Sequence, residues 1–181
     1  FFENYFKCSK TIQYDLAVTM LNFCTICVKI GIKAFVEDEF LYIKLLIEDG
    51  LYKASTVGWM DQYLFMQSVM SACRAGRFDW AEKFIKEHNH ELIEDLREQY
   101  TNYAYITLNL RRGRFKDALH YISKCRNIYE GDKLNIKVFE FNAYYELGYY
   151  DELKALADSA NHMLRNDKFF SKENKANYKL Y

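Results

Sequence analysis

Cys24-Thr25-Ile26-Cys27 has the spacing of a redox dithiol or of half a zinc site. A structural zinc needs four ligands, and no second Cys/His pair stands at ligand spacing. The pair lies inside an apolar run, where residues three apart share one face of a helix. We therefore read both thiols as buried packing groups. His88-x-His90, flanked by Glu87 and Glu91, offers nitrogens and carboxylates for a surface metal. Its position at the end of a helical pattern makes it a turn first, and His120 and His162 stand alone on helices. Glu37-Asp38-Glu39 is a carboxylate cluster in a first helical turn, where the helix dipole favours negative charge. No Gly-rich phosphate loop, Gly-x-Ser-x-Gly or His-Glu-x-x-His occurs. We expect no catalytic residue, no metal and no cofactor.

Two sets of residues point to binding instead. Arg111-Arg112-Gly113-Arg114 is the densest basic cluster, with Arg74 and Arg77 beside the equivalent glycine earlier in the chain. Arginines so placed can grip a carboxylate or phosphate, but cations also belong at helix C-termini, where they offset the dipole. Tyr63, Met66, Met70, Tyr100, Tyr103, Asn142 and Tyr145, together with Arg74 and Arg111, fall on one face when counted back from the glycines. Tyrosine and methionine suit a surface that must bind with little entropy loss or adapt its packing. The competing reading is that these rings are consumed by packing between helices.

The elements that must position these residues announce themselves in one stretch. Gly76-Arg77-Phe78-Asp79-Trp80-Ala81 returns as Gly113-Arg114-Phe115-Lys116-Asp117-Ala118, and in worn form as Gly148-Tyr149-Tyr150-Asp151-Glu152-Leu153. Periods of that size signal stacked helical hairpins. Each glycine closes one helix in a left-handed conformation, and the aromatic two residues on packs into the hairpin. We expect Phe78 and Phe115 to be buried there, with Ala81 and Ala118 at close helix crossings. The pattern predicts hairpins over about 11–49, 61–88, 92–127 and 132–165 and a terminal helix over 171–181, about nine helices in one repeat domain. Asp61 reads as an N-cap, and 51–60 as a connecting loop. The apolar run Thr11–Ile30 has its densest part in Leu16–Val28, shorter than the roughly 20 residues a membrane span needs.

Composition agrees. Of 181 residues, none is proline, where average usage would supply roughly nine, and that favours uninterrupted helices. Lys plus Arg and Asp plus Glu are 25 each, so no net field points to nucleic acid or an anionic membrane. Five cysteines, an odd number within apolar periodicity, suit a reducing, cytoplasmic compartment. The chain opens on Phe1-Phe2 without an initiator Met, so we read it as a fragment, and the lack of a signal peptide says little.

The Gly-x-aromatic-x-x-Ala core at Gly76/Phe78/Ala81 and Gly113/Phe115/Ala118 resembles the tetratricopeptide (TPR) superfamily, from Asp61 to about Arg165. The whole run is also similar to a group of bacterial TPR-like proteins of Bacteroidetes type, a likeness that brings no activity with it. Departures are clear: Ser68, Val69 and Ala72 replace the family's Leu-Gly-x-x-Tyr, Leu153 replaces the third alanine, and the late proline is missing. The resemblance implies an all-α, right-handed α-solenoid whose concave groove takes a protein or peptide partner. It does not carry the family's carboxylate clamp, because only Asn142 matches and Val138 stands at a clamp lysine's place. The expected function is a non-enzymatic protein–protein interaction or scaffold module. The alternative is a ligand-binding or sensor domain with a pocket between helices.

Overall fold

Four of the five glycines with positive φ among the described residues, Gly31, Gly76, Gly113 and Gly148, set the frame of the computed structural model. At Gly76 (φ 69°) the amide donates to the Cys73 carbonyl and the next amide, of Arg77, reaches back to Ala72 at 2.8 Å. Gly113 repeats this with Leu110 and Asn109, and the other two turns match. This paired closure needs a left-handed residue just past the helix, which costs a side-chain-bearing L-residue about 1–2 kcal/mol. The glycines found in the sequence are therefore the points where the chain reverses.

The structure describes residues 5–54, 59–125 and 130–166, with side chains left undescribed at 54, 130–134 and 162–166. Eight helices occur among them and no strand. They are α1 (Lys10–Lys29), α2 (Val36–Glu48), α3 (Gln62–Arg74), α4 (Phe78–His88), α5 (Glu94–Arg111), α6 (Phe115–Lys124), α7 (Glu130–Leu147) and α8 (Tyr150–Asn166). Short 3-10 turns lie at Lys33–Phe35, Leu51–Ala54 and Asn89–Glu91. The expected helix over 171–181 lies outside the described residues. Each glycine turn joins two helices that pack on each other, so their directions are opposed. Beyond these pairs, α3 packs on α2 and α5, α5 on α4 and α7, and α6 on α7.

Local causes are plain at several boundaries. The Asp61 carboxylate accepts from the amides of Tyr63 (2.8 Å) and Leu64 and caps α3. Ser9 caps α1 by accepting from Ile12. The stretch expected to be a plain loop after Gly50 begins instead as a 3-10 turn, with Leu51 and Tyr52 almost fully buried. Both side chains plug the core against α1 and α2, a tertiary demand that the loop-like Ser55, Thr56 and Gly58 concealed.

The core runs continuously from α1 through α5, with Ile43, Leu46, Phe65, Val69, Ile85 and Leu108 near its centre. A smaller cluster of Ile106, Ile122 and Ile136 continues it between α5, α6 and α7. Along α4 the rings of Trp80, Phe84 and His88 stack one above the next, with Trp80 edge-on to Phe40 of α2. Ala81 and Ala118 are fully buried, as the hairpin pattern requires. Phe78 and Phe115 are only half-buried, which corrects the expectation of full burial: Phe78 packs against the edge of the core and Phe115 lines an open depression. The Arg112 guanidinium lies 5.7 Å over the Phe78 ring.

The helix α1 runs for 20 residues, so the apolar stretch is not too short for a span. By length and composition alone it could cross a membrane. In this fold Gln13, Ala17, Leu21, Cys24 and Cys27 are buried, and α2 packs on it.

Candidate functional site

The candidate residues sit at equivalent places on α3 and α5. Tyr63, Met66, Met70 and Arg74 stand thirteen, ten, six and two residues before Gly76; Tyr100, Tyr103, Thr107 and Arg111 hold the same places before Gly113. In α7 the last two of those places before Gly148 are Asn142 and Glu146. Steps of three and four keep such residues on one helix face. Because successive first helices pack side by side, the three faces join.

Two adjoining depressions result. The first, of about 420 Å³, lies between α3 and α5 and is walled by Tyr63, Met66, Leu96, Tyr100 and Tyr103, with Gln62 and Gln99 at its rim. The second, of about 430 Å³, spans α3 to α7 and is lined by Met70, Arg74, Tyr103, Arg111, Asn142 and Tyr145, among others. All nine candidates therefore line one trough or the other, and Tyr103 walls both. Tyr63 is 74% exposed and Tyr145 60%, while Tyr100 and Tyr103 are half-buried. Met66 is buried and forms floor rather than contact surface. Tyr103 also packs edge-to-face on Phe139 of α7, ring centres 5.2 Å apart.

Phe115, Phe139 and Leu110 line the second depression too and are not among its sequence candidates. Phe115 was assigned to a hairpin core, and Phe139 lies one residue off the places counted from Gly148. For the two phenylalanines aromatic character is the available signal; their direction depends on how α6 and α7 rotate against α5.

The arginines divide sharply. Arg74 is held by a two-pronged ion pair to Glu39 of α2, with its Nη2 2.6 Å from Oε1 and its Nε 3.0 Å from Oε2. Glu39 is fully buried and also accepts from Thr25 of α1, whose hydroxyl accepts in turn from Gln67. Arg77 pairs with Glu37 of α2, and Arg112 with both Asp79 and Glu82 of α4. These three are clips between neighbouring hairpins, and Arg74 also lines the second depression. Glu82 is held below the usual carboxylate range by hydrogen bonds from Lys86 and then Arg112. Arg111 stands where Arg74 stands one repeat earlier, yet it is exposed and has no ion-pair partner among the described residues. It faces the second depression with Asn142, Tyr145 and Glu146.

Cys24 and Cys27 are free, buried thiols on the inner face of α1. Burial pushes the Cys73 thiol up to about 11, against the pull of Arg111, Arg112 and Arg74, which leaves it no thiolate character near neutrality. His88 Nδ1 lies 3.0 Å from Glu91 Oε1, and Tyr52 donates to the other oxygen of the same carboxylate. His90 is exposed, and the His162 side chain lies outside the described residues. Among the described residues no three His, Cys, Asp or Glu side chains converge on a metal position.

Compared with known proteins, the chain matches no family model, and neither curated proteins nor solved structures yield a significant match.

Proposed function

We propose that the chain is a non-enzymatic interaction module of TPR-like type. On this reading its hairpins stack as a right-handed solenoid, and the trough along α3, α5 and α7 receives an extended segment of a protein partner. The observation that carries the reading is the convergence of all nine candidates on two depressions that share the Tyr103 ring. Exposed tyrosines are costly to leave in water and repay burial by a partner, which is why such rings dominate binding energy at interfaces. The open rim at Tyr63 favours a chain lying along the trough over a small ligand enclosed between helices. Arg111 and Asn142 give the second depression a cation and an amide, suited to a carboxylate or backbone carbonyl on that segment.

Selection from a displayed peptide library tests this. Sequences enriched on the wild-type chain should bind the Tyr63→Ala/Tyr145→Ala variant at least about 30-fold more weakly, the loss of roughly 2 kcal/mol typical of interface anchors. Both rings are exposed, so the variant keeps its fold, and circular dichroism checks that. Peptides that bind both proteins equally would sink the trough as the binding surface.

A further inference from the structure

The helix α1 has two apolar faces, and only one is covered. The covered face carries Ala17, Leu21, Cys24 and Cys27. The other is a row of Ile12, Leu16, Thr19, Phe23, Ile26 and Ile30, the last at the helix cap, spaced four, three, four, three and four residues apart. That alternation is the seam of a helix pair. Ile12, Phe23, Ile26 and Ile30 are 49% to 70% exposed, and Leu16 is half-buried. The Thr19 hydroxyl donates to the Asp15 carbonyl at 2.8 Å, so covering Thr19 strands no polar group. The Phe23 ring is held edge-on by Phe35 at 5.3 Å and is already fixed in place. A contiguous apolar strip of this size marks an interaction surface.

Beside the seam runs a second row, Asp15, Asn22 and Lys29, seven residues apart and all exposed. Neither Asp15 nor Lys29 has an ion-pair partner among the described residues. We propose that α1 pairs antiparallel with α1 of a second copy of this chain, about a two-fold axis near the middle of the helix. The seam reads the same in both directions. Reversed against itself, Ile12 meets Ile30, Leu16 meets Ile26 and Thr19 meets Phe23. The polar row reverses equally well: Asp15 of each copy meets Lys29 of the other, and the two Asn22 amides meet at the axis. In a parallel pair the two polar rows would lie on opposite sides of the seam, and Asp15 would find no Lys29. Two-fold contacts of this isologous kind need a self-complementary patch, which this row supplies. The charge order also selects a protein copy over a lipid surface, since an interfacial helix favours cations along its polar face and this one alternates acid, amide and cation.

Sedimentation of the intact chain at low salt should show a concentration-dependent dimer. Ile26→Glu should weaken it at least about tenfold while leaving the helical spectrum unchanged, because the site is exposed. Lys29→Asp and Asp15→Lys should each weaken it by about fivefold, as two attractive pairs become repulsive. The double variant Asp15→Lys/Lys29→Asp should return the affinity to within about twofold of wild type, a rescue that no structural or solubility effect reproduces. If Ile26→Glu fails to fold, the charge reversals decide alone. A monomer at every concentration, a dimer indifferent to these changes, or failure of the double reversal to restore it overturns the proposal. So does binding to phosphatidylcholine vesicles without dimer formation, which would give the seam to lipid.

Discussion

Arg74 shows how residue type and position can name a group without naming its job. Its place on the trough face is that of Arg111, but its guanidinium is committed to the buried Glu39 carboxylate. Removing the arginine would leave a buried charge unpaired, so Arg74→Ala should lower stability to urea by about 3 kcal/mol. The double change Arg74→Leu/Glu39→Leu removes both charges and should cost markedly less. A double variant as unstable as Arg74→Ala would show that packing, not charge, holds the site. The Tyr52–Glu91–His88 group makes a second residue-scale prediction. Burial opposes ionisation of Glu91, but hydrogen bonds from Tyr52 and His88 hold its carboxyl below the usual range. A lowered carboxylate contributes stability above its ordinary value that is lost as pH falls through the folded one, so acid below about pH 4.5 should loosen the protein. Tyr52 is raised, first by burial and then by its hydrogen bond to Glu91. A raised phenol contributes stability up to about pH 10 that is lost at higher pH. Tyr52→Phe should flatten the stability profile at both ends, as measured by urea midpoints from pH 3 to 11; an unchanged profile would place the titration elsewhere.

At the scale of elements, the chain reversals were legible and the rotations of helices were not. Glycine at a left-handed position is a local requirement, so Gly76 and Gly113 could be read directly, and so could the Asp61 cap. A Cβ on Gly113 would meet nothing within 4 Å, which leaves backbone strain as the only cost. Gly113→Ala should therefore cost about 1 kcal/mol and Gly113→Asn less, measured by chemical denaturation. Phe115 depends on something non-local. Its burial is set by how α6 lies on α5 and α7, and the sequence pattern could not tell full burial from half. Half-buried at the trough, Phe115→Ala should cost about 1–3 kcal/mol rather than the larger loss of a fully enclosed ring. The ion-pair clips were hidden for the same reason: Glu39 and Arg74 are 35 residues apart, and no local rule pairs them. The trough face itself was recoverable because three helices repeat one spacing from a shared landmark.

At the scale of the whole molecule, burial among the described residues thins from α5 to α8. The first five helices share one continuous core, whereas Ile136, Ala143 and Leu156 are the buried apolar residues of α7 and α8 among those described. In an array where each hairpin touches only its neighbours, local stability follows local burial. Amide hydrogen exchange should therefore release α7 and α8 first and the centre of α3 and α5 last. Uniform protection from end to end would mean that the chain opens as a single unit.

Tyr103 gives that gradient a further meaning. Its ring is at once a wall of both depressions, a contact of the large core, and the edge-to-face neighbour of Phe139 on α7. Anything seated in either depression would press on one of the rings that tie the last hairpin to the rest. Occupancy and the cohesion of α7 would then be linked, each shifting the other by the same free energy. Two short ligands, one in each depression, would negotiate through one side chain, whereas a single continuous ligand would fix it once.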